Sequence, residues 1–424
     1  MKIISDLHIH SRFSRATSRE LDIHNLVKFS RIKGVNLLGT GDFTHPLWLK
    51  ELKKELMEDG TGILKTPDGF PFILTTEISS VYRQGNEIKR IHNIILSPDF
   101  GTVEQINESL RRRGVNLEAD GRPVCGITSP ELVEMVTEIN PKNEVIPAHI
   151  WTPWFSLFGS KSGFDTIDEC FQDQTKHIHA LETGLSSDPP MNWRLSSLDR
   201  FSLVSFSDSH SFWPWRIGRE ATVFELNELT YNNLIKAIRT GDGLVETIEV
   251  DPSYGKYHYD GHRECGISLS PKDAEKYNNI CPVCKKPLTI GVLHRVSELA
   301  DRPEGFIPKG SKPFRSLLPL SEIISFVMAT GVSSRKVWER YNRLVNAFGS
   351  ELNVLLEAEE EMMKRVAEEK IVDLILKVRN GCITIKPGYD GVYGKIEPEK
   401  EKGPQRRLSD FNRSPQQQQM LLHR

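Results

Sequence analysis

The stretch DLHIHS at residues 6–11 is the most informative part of the sequence. It follows the short run at residues 2–4, whose two isoleucines predict a β-strand. Alternate residues of a strand share one face, so Asp6, His8 and His10 are expected to project together. Two imidazoles and a carboxylate at this spacing suit divalent metal ions. The stretch therefore predicts a strand that presents metal ligands.

Further candidate ligands stand beside other predicted strands. Short apolar runs alternate with helix-like stretches through residues 1–245, which is typical of a βαβ architecture. The runs cover residues 2–4, 35–38, 72–74, 94–96, 145–146 and 203–206. The candidates at or near the ends of these runs are Asp42, Glu77, His92, His149, Asp208 and His210. Any one of them alone is more often a surface or core residue. Because the active sites of α/β barrels form at the carboxyl ends of the strands, the set predicts one metal cluster.

The composition is that of an ordinary globular protein. The chain has 424 residues, of which 38% are hydrophobic and 26% are charged, and its net charge is −2. This length allows two or three domains, and the charge gives no evidence for nucleic acid, so any basic surface must be local. The amino terminus does not read as a signal peptide, and no apolar run approaches the ~18 residues of a membrane span. We therefore expect an intracellular protein without a membrane partner.

A group of cysteines and histidines predicts one structural zinc site. His262 and Cys265 form one pair, and Cys281 and Cys284 form a CxxC pair after 15 intervening residues. Cysteine and histidine ligands at such spacings suit a closed tetrahedral zinc site. His258 is an alternative fourth ligand. A redox role for the CPVC sequence is weakly supported, because no thioredoxin-like strand and helix flank it.

The metal-ligand motifs resemble those of the PHP (polymerase and histidinol phosphatase) superfamily of metal-dependent phosphoesterases. DLHIHS is similar to the first motif of that superfamily, Glu77 to the second, His149 to the third, and SDSH at 207–210 to the fourth. The resemblance implies a distorted seven-stranded (β/α) barrel that holds two or three divalent ions (Zn, Mn, Fe or Mg). The ligands that it implies are His8, His10, Asp42, Glu77, His92, His149, Asp208 and His210, and all of these except His92 are also expected to be catalytic.

The chain departs from the superfamily pattern in two places. Many members have a histidine where Asp42 stands, and an acidic or histidine ligand where Ser14 and Arg15 stand. One metal position is therefore expected to be weaker or differently held. Glu182, in the phrase HALETG, is a candidate for a position behind the ligands, and His45 is a lesser candidate ligand near Asp42.

Longer phrases resemble the endonuclease Q family of archaeal and bacterial DNA-repair nucleases. These phrases are GDFTHP (41–46), HIWTPWFSLFGS (149–160), SDSHSFWPWRIGRE (207–220), DGHREC (260–265) and CPVCKKPLTIGVLHRV (281–296). The resemblance covers nearly the whole chain to about residue 395. It implies incision of the phosphodiester 5′ to a deaminated base (hypoxanthine, uracil or xanthine) or an abasic site, leaving 3′-hydroxyl and 5′-phosphate ends.

The sequence pattern divides the chain into four regions. They are the barrel at 1–245, the zinc-binding module at 246–300, a helical carboxy-terminal domain at 301–395 that opens with a proline-rich linker at 301–316, and a tail at 396–424. The tail is charged and glutamine-rich, which predicts disorder. A Tyr/Gly phrase occurs twice, at 251–261 and 387–395, and β-hairpin turns are the simplest interpretation. A small-molecule phosphatase would not need the last three regions, so they favour a macromolecular substrate.

Aromatic and basic residues beside the ligand segments are candidates for DNA contact. They are Trp151, Trp154, Lys161, Trp213, Trp215 and Arg216. Aromatic rings can stack on a base beside a phosphate-cutting centre, and basic side chains can hold phosphates. For the aromatic residues the alternative is a hydrophobic rim that packs against the carboxy-terminal domain.

The tail contains a phrase that resembles a sliding-clamp (PCNA) binding box. Gln405, Leu408 and Phe411 have the spacing of such a box, while Asn412 stands where a second aromatic residue is usual. Boxes of this kind bind by ordering a flexible segment, which agrees with their place in a tail.

Two functions compete with the leading interpretation, which is a lesion-specific DNA endonuclease acting with the chromosome in the cytoplasm of an archaeal or bacterial cell. The first is a PHP phosphatase that acts on a small phosphate monoester, and the zinc module and the clamp box argue against it. The second is a non-enzymatic DNA- or clamp-binding module with a degenerate metal site. The nearly complete set of metal ligands argues against that one.

Overall fold

The strand predicted ahead of the first histidines lies within the main sheet of the protein. The computed structural model describes residues 1–397. The strands are β1 (Lys2–Asp6), β2 (Leu37–Gly39), β3 (Met57–Glu58), β4 (Leu64–Lys65), β5 (Pro71–Gln84), β6 (Glu87–Ser97), β7 (Val124–Cys125), β8 (Glu144–Pro147), β9 (Ala180–Glu182), β10 (Ser202–Val204), β11 (Ala221–Glu225), β12 (Leu244–Glu249), β13 (Asp260–His262), β14 (Ile267–Leu269), β15 (Phe314–Ser316), β16 (Thr384–Lys386) and β17 (Lys395–Glu397). The helices are α1 (Ile23–Lys33), α2 (Pro46–Glu55), α3 (Phe100–Arg112), α4 (Ser129–Ile139), α5 (Ile167–Phe171), α6 (Pro189–Asn192), α7 (Tyr231–Thr240), α8 (Pro271–Glu275), α9 (Val292–Leu299), α10 (Leu320–Val327), α11 (Arg335–Phe348), α12 (Glu351–Leu356), α13 (Glu360–Lys364) and α14 (Glu369–Arg379). Within residues 1–397, no helix has the length and apolar character needed to cross a lipid bilayer.

The strands that carry the predicted ligands are neighbours in space. β1 pairs in parallel with β2, and β2 pairs in parallel with β5. β5 pairs antiparallel with β6, and β6 pairs antiparallel with β8. A bridge from Val145 in β8 to Ile178 leads to β9, which pairs in parallel with β10. A second parallel bridge, between Ile9 and Ser209, joins the segments that follow β1 and β10. The fold is therefore mixed α/β, and the ends of β1 and β10 meet.

The sheet also extends from the edge of β1 that is opposite β2. β1 pairs antiparallel with β11, β11 pairs antiparallel with β12, and β12 pairs in parallel with β15. β15 lies inside the segment 301–316 that the prolines predict to be a linker. Part of this segment therefore extends the main sheet, which proline content alone does not reveal.

Local sequence explains where the helices around the sheet begin. The Asp22 side chain caps α1 by accepting a hydrogen bond from the backbone N–H of Asn25. Thr128 and Glu131 form a reciprocal capping box at the start of α4. Such caps satisfy backbone N–H groups that the first turn of a helix leaves without partners. The helices can then bury their apolar faces in the core around the sheet.

The helical carboxy-terminal region expected from the sequence is confirmed. Helices α10 to α14 pack on β11 and β12 to form a second apolar core, which includes Ile323, Leu344 and Val223. A buried ion pair joins this region to α1, with Lys33 Nζ 2.7 Å from Glu351 Oε1. The Tyr341 hydroxyl donates to Glu351 Oε2 at 2.7 Å. Because a broken buried pair would leave an uncompensated charge, these contacts fix the helical region against α1.

The two Tyr/Gly phrases pack against each other. The second phrase is the loop of the β16–β17 hairpin, as expected, whereas the first phrase is not a hairpin turn: it forms one 3-10 turn and a loop that leads into β13. Its Gly388 donates a backbone hydrogen bond to Ser253 O and accepts one from Tyr259 N, each at 2.9 Å. A Cβ at Gly388 would overlap the carbonyl oxygen of Gly255, so only glycine allows this approach. The repeat therefore ties residues near the end of the described chain to the segment just before the cysteines.

Candidate metal centre

Six predicted ligands form two groups that share one carboxylate. In the first group, one ligand atom from each of His8, His10, Glu77 and Asp208 lies within 4.8 Å of the others. In the second group the same holds for Glu77, His92 and His149. Since each group combines imidazole nitrogens with carboxylate oxygen, the residues fit divalent transition-metal ions. Glu77 stands between the two candidate metal positions.

Glu77 and His92 lie inside strands, not at strand ends. The sequence suggests a strand only over 72–74 because the residues after it are mostly polar, but β5 continues to Gln84. The polar residues from Thr75 to Ser80 are buried, and β6 pairs with the strand from Leu74 to Gln84. Ser79 is paired with His92, so His92 lies diagonally across from Glu77 on the neighbouring strand. Because β5 and β6 extend well beyond the predicted runs and pair with each other, they bring Glu77 and His92 together.

Asp6 does not project with the two histidines, so that part of the strand prediction is wrong. Its carboxylate accepts hydrogen bonds from Ser207 N at 3.0 Å, Ser207 Oγ at 2.5 Å and Gly218 N at 2.8 Å. Burial raises the pKa of Asp6 to about 6, against the opposing effect of these hydrogen bonds. β1 ends at Asp6, so the two histidines lie beyond the strand. The carboxylate instead holds β1 beside the segment that carries Asp208.

The first group contains a buried nitrogen with no hydrogen-bond partner. His8 Nε2 makes no hydrogen bond, and it lies 3.5 Å from Glu77 Oε2 and 3.6 Å from Asp208 Oδ1. His10 Nε2 lies 3.3 Å and 3.1 Å from the same two oxygens. A buried polar atom without a partner is costly in an ordinary core. Here it faces two carboxylates, which is the arrangement that a bound cation would satisfy.

The outer nitrogens of both imidazoles are fixed by further carboxylates. His8 Nδ1 lies 2.9 Å from Glu182 Oε1, and His10 Nδ1 lies 3.0 Å from Asp42 Oδ1. Metal-binding histidines commonly donate their second N–H to a carboxylate, which sets the tautomer and the ring orientation. Glu182 also accepts the backbone N–H of His149 at 2.6 Å. Glu182 therefore lies behind the ligands, as the sequence suggests, and serves both groups.

The charges around the first group favour bound positive charge. Burial alone would lower the pKa of His8, but Glu182 and Glu77 raise it well above its usual value. The pKa of His10 is likewise raised against burial, by Asp42 and Asp208. The carboxylates thus attract protons onto the imidazoles when no cation is present. Metal ions, which bind the neutral imidazole, would compete with those protons for the same sites.

The second group surrounds the other oxygen of Glu77. Glu77 Oε1 lies 2.7 Å from His92 Nδ1 and 3.2 Å from His149 Nε2. The two imidazole nitrogens are 3.3 Å apart. Burial lowers the pKa of His92 to about 4, although Glu77 opposes this shift. His92 is therefore neutral near pH 7 and has the protonation state that a metal ligand requires.

The structure does not bring Asp42, His210 or His45 into either group. Asp42 Oδ2 accepts hydrogen bonds from Ser11 N, Ser11 Oγ and Ser14 Oγ at 2.6, 2.7 and 2.9 Å, while Oδ1 lies against His10. His210 Nδ1 lies 3.0 Å from the carbonyl oxygen of Asp208. His45 stacks on a neighbouring phenylalanine ring. Asp42 thus orients His10, and a separate third group is not formed within the described residues.

Three of the predicted residues have strained backbone. Asp42, His149 and Asp208 have positive φ angles of 48°, 29° and 46°. Residues other than glycine rarely adopt this region, and such strain persists where the surrounding structure holds it, often at functional sites. Each of the three follows the end of a strand, so the sharp turn directs the side chain back toward the site.

The predicted DNA contacts separate into accessible and buried residues. Trp151 is fully buried, and its Nε1 donates to Asn192 Oδ1 at 2.8 Å, so it packs the core and cannot stack on a base in this conformation. Trp213 and Trp215 stack on each other with ring centres 5.2 Å apart, and both contact Trp338 of α11. These two residues therefore pack against the helical region, which is the alternative to DNA contact stated for the aromatic residues. Trp154 and Lys161 are exposed, and Arg216 is half-buried.

The cysteine group is assembled as a compact cluster. His262, Cys265, Cys281 and Cys284 each offer an atom within 4.8 Å of the others. His262 ends β13, Cys265 lies in the turn before β14, and the CxxC pair follows α8. His258 is not part of this group, and burial lowers its pKa to about 4. The geometry therefore favours His262 over His258 as the fourth donor.

Sequence reasoning missed Arg122, whose Nη1 donates to Glu77 Oε2 at 3.0 Å. Arg122 belongs to the phrase Asp-Gly-Arg at 120–122, which resembles an ordinary surface turn. The phrase lies far in sequence from every ligand, and no local pattern predicts that it reaches the site.

One family model matches the carboxy-terminal region, and two relatives match larger parts of the chain. Residues 319–382 match the family described as MJ0043 C-terminal domain. The uncharacterized protein MJ0043 of Methanocaldococcus jannaschii is 34% identical over 259 residues, which are 59% of this chain and 32% of that protein. The chain thus spans about a third of the length of that relative. The uncharacterized protein YqxK of Bacillus subtilis is 30% identical over 415 residues, which cover 94% of this chain and 100% of that protein.

Solved structures resemble nearly the whole described chain. The lesion-specific endonuclease PfuEndoQ from Pyrococcus furiosus matches with a TM-score of 0.84 and 33% identity, over 93% of this chain and 95% of that chain. The chain belongs to the endonuclease Q family. A complex of endonuclease Q with a 27-mer duplex substrate, which has an abasic lesion at its active site, matches with the same TM-score of 0.84 and 33% identity, over 93% of this chain and 96% of that chain. The endonuclease Q resemblance seen in the sequence is therefore confirmed.

In this endonuclease Q family member, we expect His8→Ala and Asp208→Ala to lower the metal content without unfolding the protein. The lost donor removes one ligand of the first group, while the outer carboxylates stay in place. Metal per chain is measured by mass spectrometry, and folding by thermal melting. His24→Ala, an exposed position on α1, is the matched control. Metal content equal to wild type in both site variants would contradict the proposed ligand group.

Proposed function

We propose that this protein is a metal-dependent DNA-repair endonuclease. It hydrolyses the phosphodiester 5′ to a deaminated base (hypoxanthine, uracil or xanthine) or an abasic site. The likeness over 93% of the chain to an endonuclease Q bound to an abasic duplex carries this proposal. Such a substrate lies in chromosomal DNA, so the proposed place of action is the cytoplasm of an archaeal or bacterial cell.

Two divalent ions fit the site better than three. The two ligand groups share Glu77, whereas Asp42, Ser14 and His210 do not form a third group. We infer that His8, His10, Glu77 and Asp208 hold one ion, and that Glu77, His92 and His149 hold the other. Zn, Mn, Fe and Mg remain the candidates. Bound ions of this kind lower the pKa of a water and neutralise charge on a phosphoryl group.

The residues of the chain prepare the site for these ions. Glu182 and Asp42 would hold the Nδ1 protons of His8 and His10, so that each Nε2 could give its lone pair to an ion bound beside the carboxylates. Glu77 would contribute to both positions, since its Oε2 faces His8 and His10 and its Oε1 faces His92 and His149. Asp208 is held at a strained turn beside both histidines. This prior orientation reduces the reorganisation needed when a phosphodiester enters.

The strand pairings support the proposed seven-stranded barrel. β1, β2, β5, β6, β8, β9 and β10 follow one another through pairings and bridges, and the last connects back to the first. With the proposed domain boundaries at residues 245, 300 and 395, these seven strands all lie in the barrel region at 1–245. The exposed residues Trp154 and Lys161, with Arg216, remain the proposed DNA contacts.

A phosphatase acting on a small phosphate monoester is the alternative. It would use the same ligand groups, so the metal site does not distinguish the two functions. The whole-chain likeness to a DNA-bound relative favours the endonuclease.

The proposed function is tested with labelled duplexes that carry one hypoxanthine, uracil, xanthine or abasic site. With Mg²⁺ or Mn²⁺, we expect one cut on the 5′ side of the lesion and no cut in the undamaged duplex. Asp208→Ala should abolish detectable incision, because it removes a metal ligand. Denaturing gels map the cut. Release of phosphate from small monoesters, with every duplex left intact, would establish the phosphatase instead.

We propose one structural zinc ion at His262, Cys265, Cys281 and Cys284. Cys281→Ser should release one zinc per chain and destabilise the module, because structural zinc supplies folding energy to small modules. Cys382→Ser is the control, since this cysteine lies outside the group. Zinc analysis is combined with hydrogen exchange over residues 258–291. A well-folded Cys281→Ser protein with unchanged zinc would exclude the site.

The clamp-binding box at Gln405, Leu408 and Phe411 lies outside the described residues, and it remains a proposal. Alanine at all three positions should weaken binding to the cognate PCNA clamp at least tenfold, because anchor residues of this type carry ~2 kcal/mol or more each. Incision without the clamp should stay within twofold of wild type. Titration by surface plasmon resonance measures the affinity. Equal affinity of the triple variant and wild type would show that the box does not bind the clamp.

A further inference from the structure

Arg122 is a fixed positive charge at the junction of the two ligand groups. Its Nη1 donates to Glu77 Oε2, the same oxygen that faces His8 and His10. A guanidinium remains protonated in proteins at any ordinary pH. The guanidinium therefore stays charged and lies within the field of carboxylates from the site.

The segment that carries Arg122 is built to approach the ligands. A Cβ at Gly121 would overlap the carboxylate of Asp42 and the hydroxyl of Ser14, so glycine allows this segment to lie against them. Gly121 N donates to Phe13 O at 3.0 Å, and Thr44 Oγ1 donates to Gly121 O at 3.1 Å. The neighbouring Arg122 is thereby held at a set distance from the site.

Most donors of Arg122 are left for another partner. A guanidinium has five N–H donors, and only the bond to Glu77 engages one of them within residues 1–397. Its remaining nitrogens are not among the buried polar atoms that lack partners, and 26% of the side chain is exposed. They therefore face solvent beside the candidate metal positions. A side chain that only balanced the charge of Glu77 would not need donors open to the site.

We propose that Arg122 is a catalytic residue that binds the phosphodiester to be cut, with its free N–H groups donated to the non-bridging oxygens. This proposal rests on the proposed phosphodiesterase function. Planar guanidinium donors match phosphate oxygens in pairs, whereas an ammonium group offers only a point charge. Anchoring on Glu77 places the group where charge gathers on the phosphoryl oxygens in the transition state.

The test compares wild type with Arg122→Lys and Arg122→Ala in single-turnover cleavage of a duplex with one abasic site. We expect both variants to cut ~10²–10³-fold more slowly, the range seen when one transition-state donor is removed. The metal content of the purified variants should stay within threefold of wild type. Their affinity for the duplex, measured separately in EDTA to prevent cleavage, should also stay within threefold. Added guanidinium ions should restore part of the activity of Arg122→Ala and none of that of Arg122→Lys. Arg83→Ala, an exposed position on β5, is the matched control and should cut at the wild-type rate.

Three results would overturn the proposal. Variant rates within threefold of wild type would show that Arg122 does not act in the reaction. Loss of metal, with the rate recovered in excess metal, would make Arg122 only a support for Glu77. Hydrolysis of neither the duplex nor bis(p-nitrophenyl) phosphate by wild type would remove both proposals. Hydrolysis of the small diester alone, still dependent on Arg122, would keep this proposal and reject the DNA substrate.

Discussion

The buried carboxylate of Glu77 is the interaction on which the site depends. It is fully enclosed, and nitrogens of His92, His149 and Arg122 lie within 3.2 Å of its oxygens. A carboxylate in such a place is stable only if positive charge accompanies it. The chain supplies part of that charge through Arg122. The two groups of imidazoles that surround the remaining directions supply a place for metal ions.

Distant contacts hold this arrangement in place. Asp6 joins β1 to the segment of Asp208 through hydrogen bonds to Ser207 and Gly218. Strained backbone at Asp42, His149 and Asp208 directs side chains inward, and its cost must be met by the surrounding fold. The site is therefore a product of the whole sheet, and single ligand substitutions are expected to change metal binding more than folding.

The regions beyond the sheet are fastened to it at separate places. The ion pair between Lys33 and Glu351 fixes the helical region to α1, and the stacked rings of Trp213 and Trp215 meet Trp338 on the same side. The facing Tyr/Gly phrases tie the last described strands to the segment before the cysteine group. Trp213 and Trp215, which follow the ligand segment at 207–210, therefore pack against the helical region. Fewer aromatic residues are free to contact DNA than the sequence suggests.

The sequence by itself determined the α/β class, the helical carboxy-terminal region, the family and every member of both candidate ligand groups, because these depend on residue types and motifs that are read along the chain. Only the tertiary structure decided that Asp6 turns away, that Asp42 orients His10, that Trp151 is buried, and that Arg122 reaches Glu77. Local patterns cannot show these features, because each arises where segments far apart in sequence meet. The alternation of a strand predicts a shared face only while the strand continues, and β1 ends at Asp6, before either histidine.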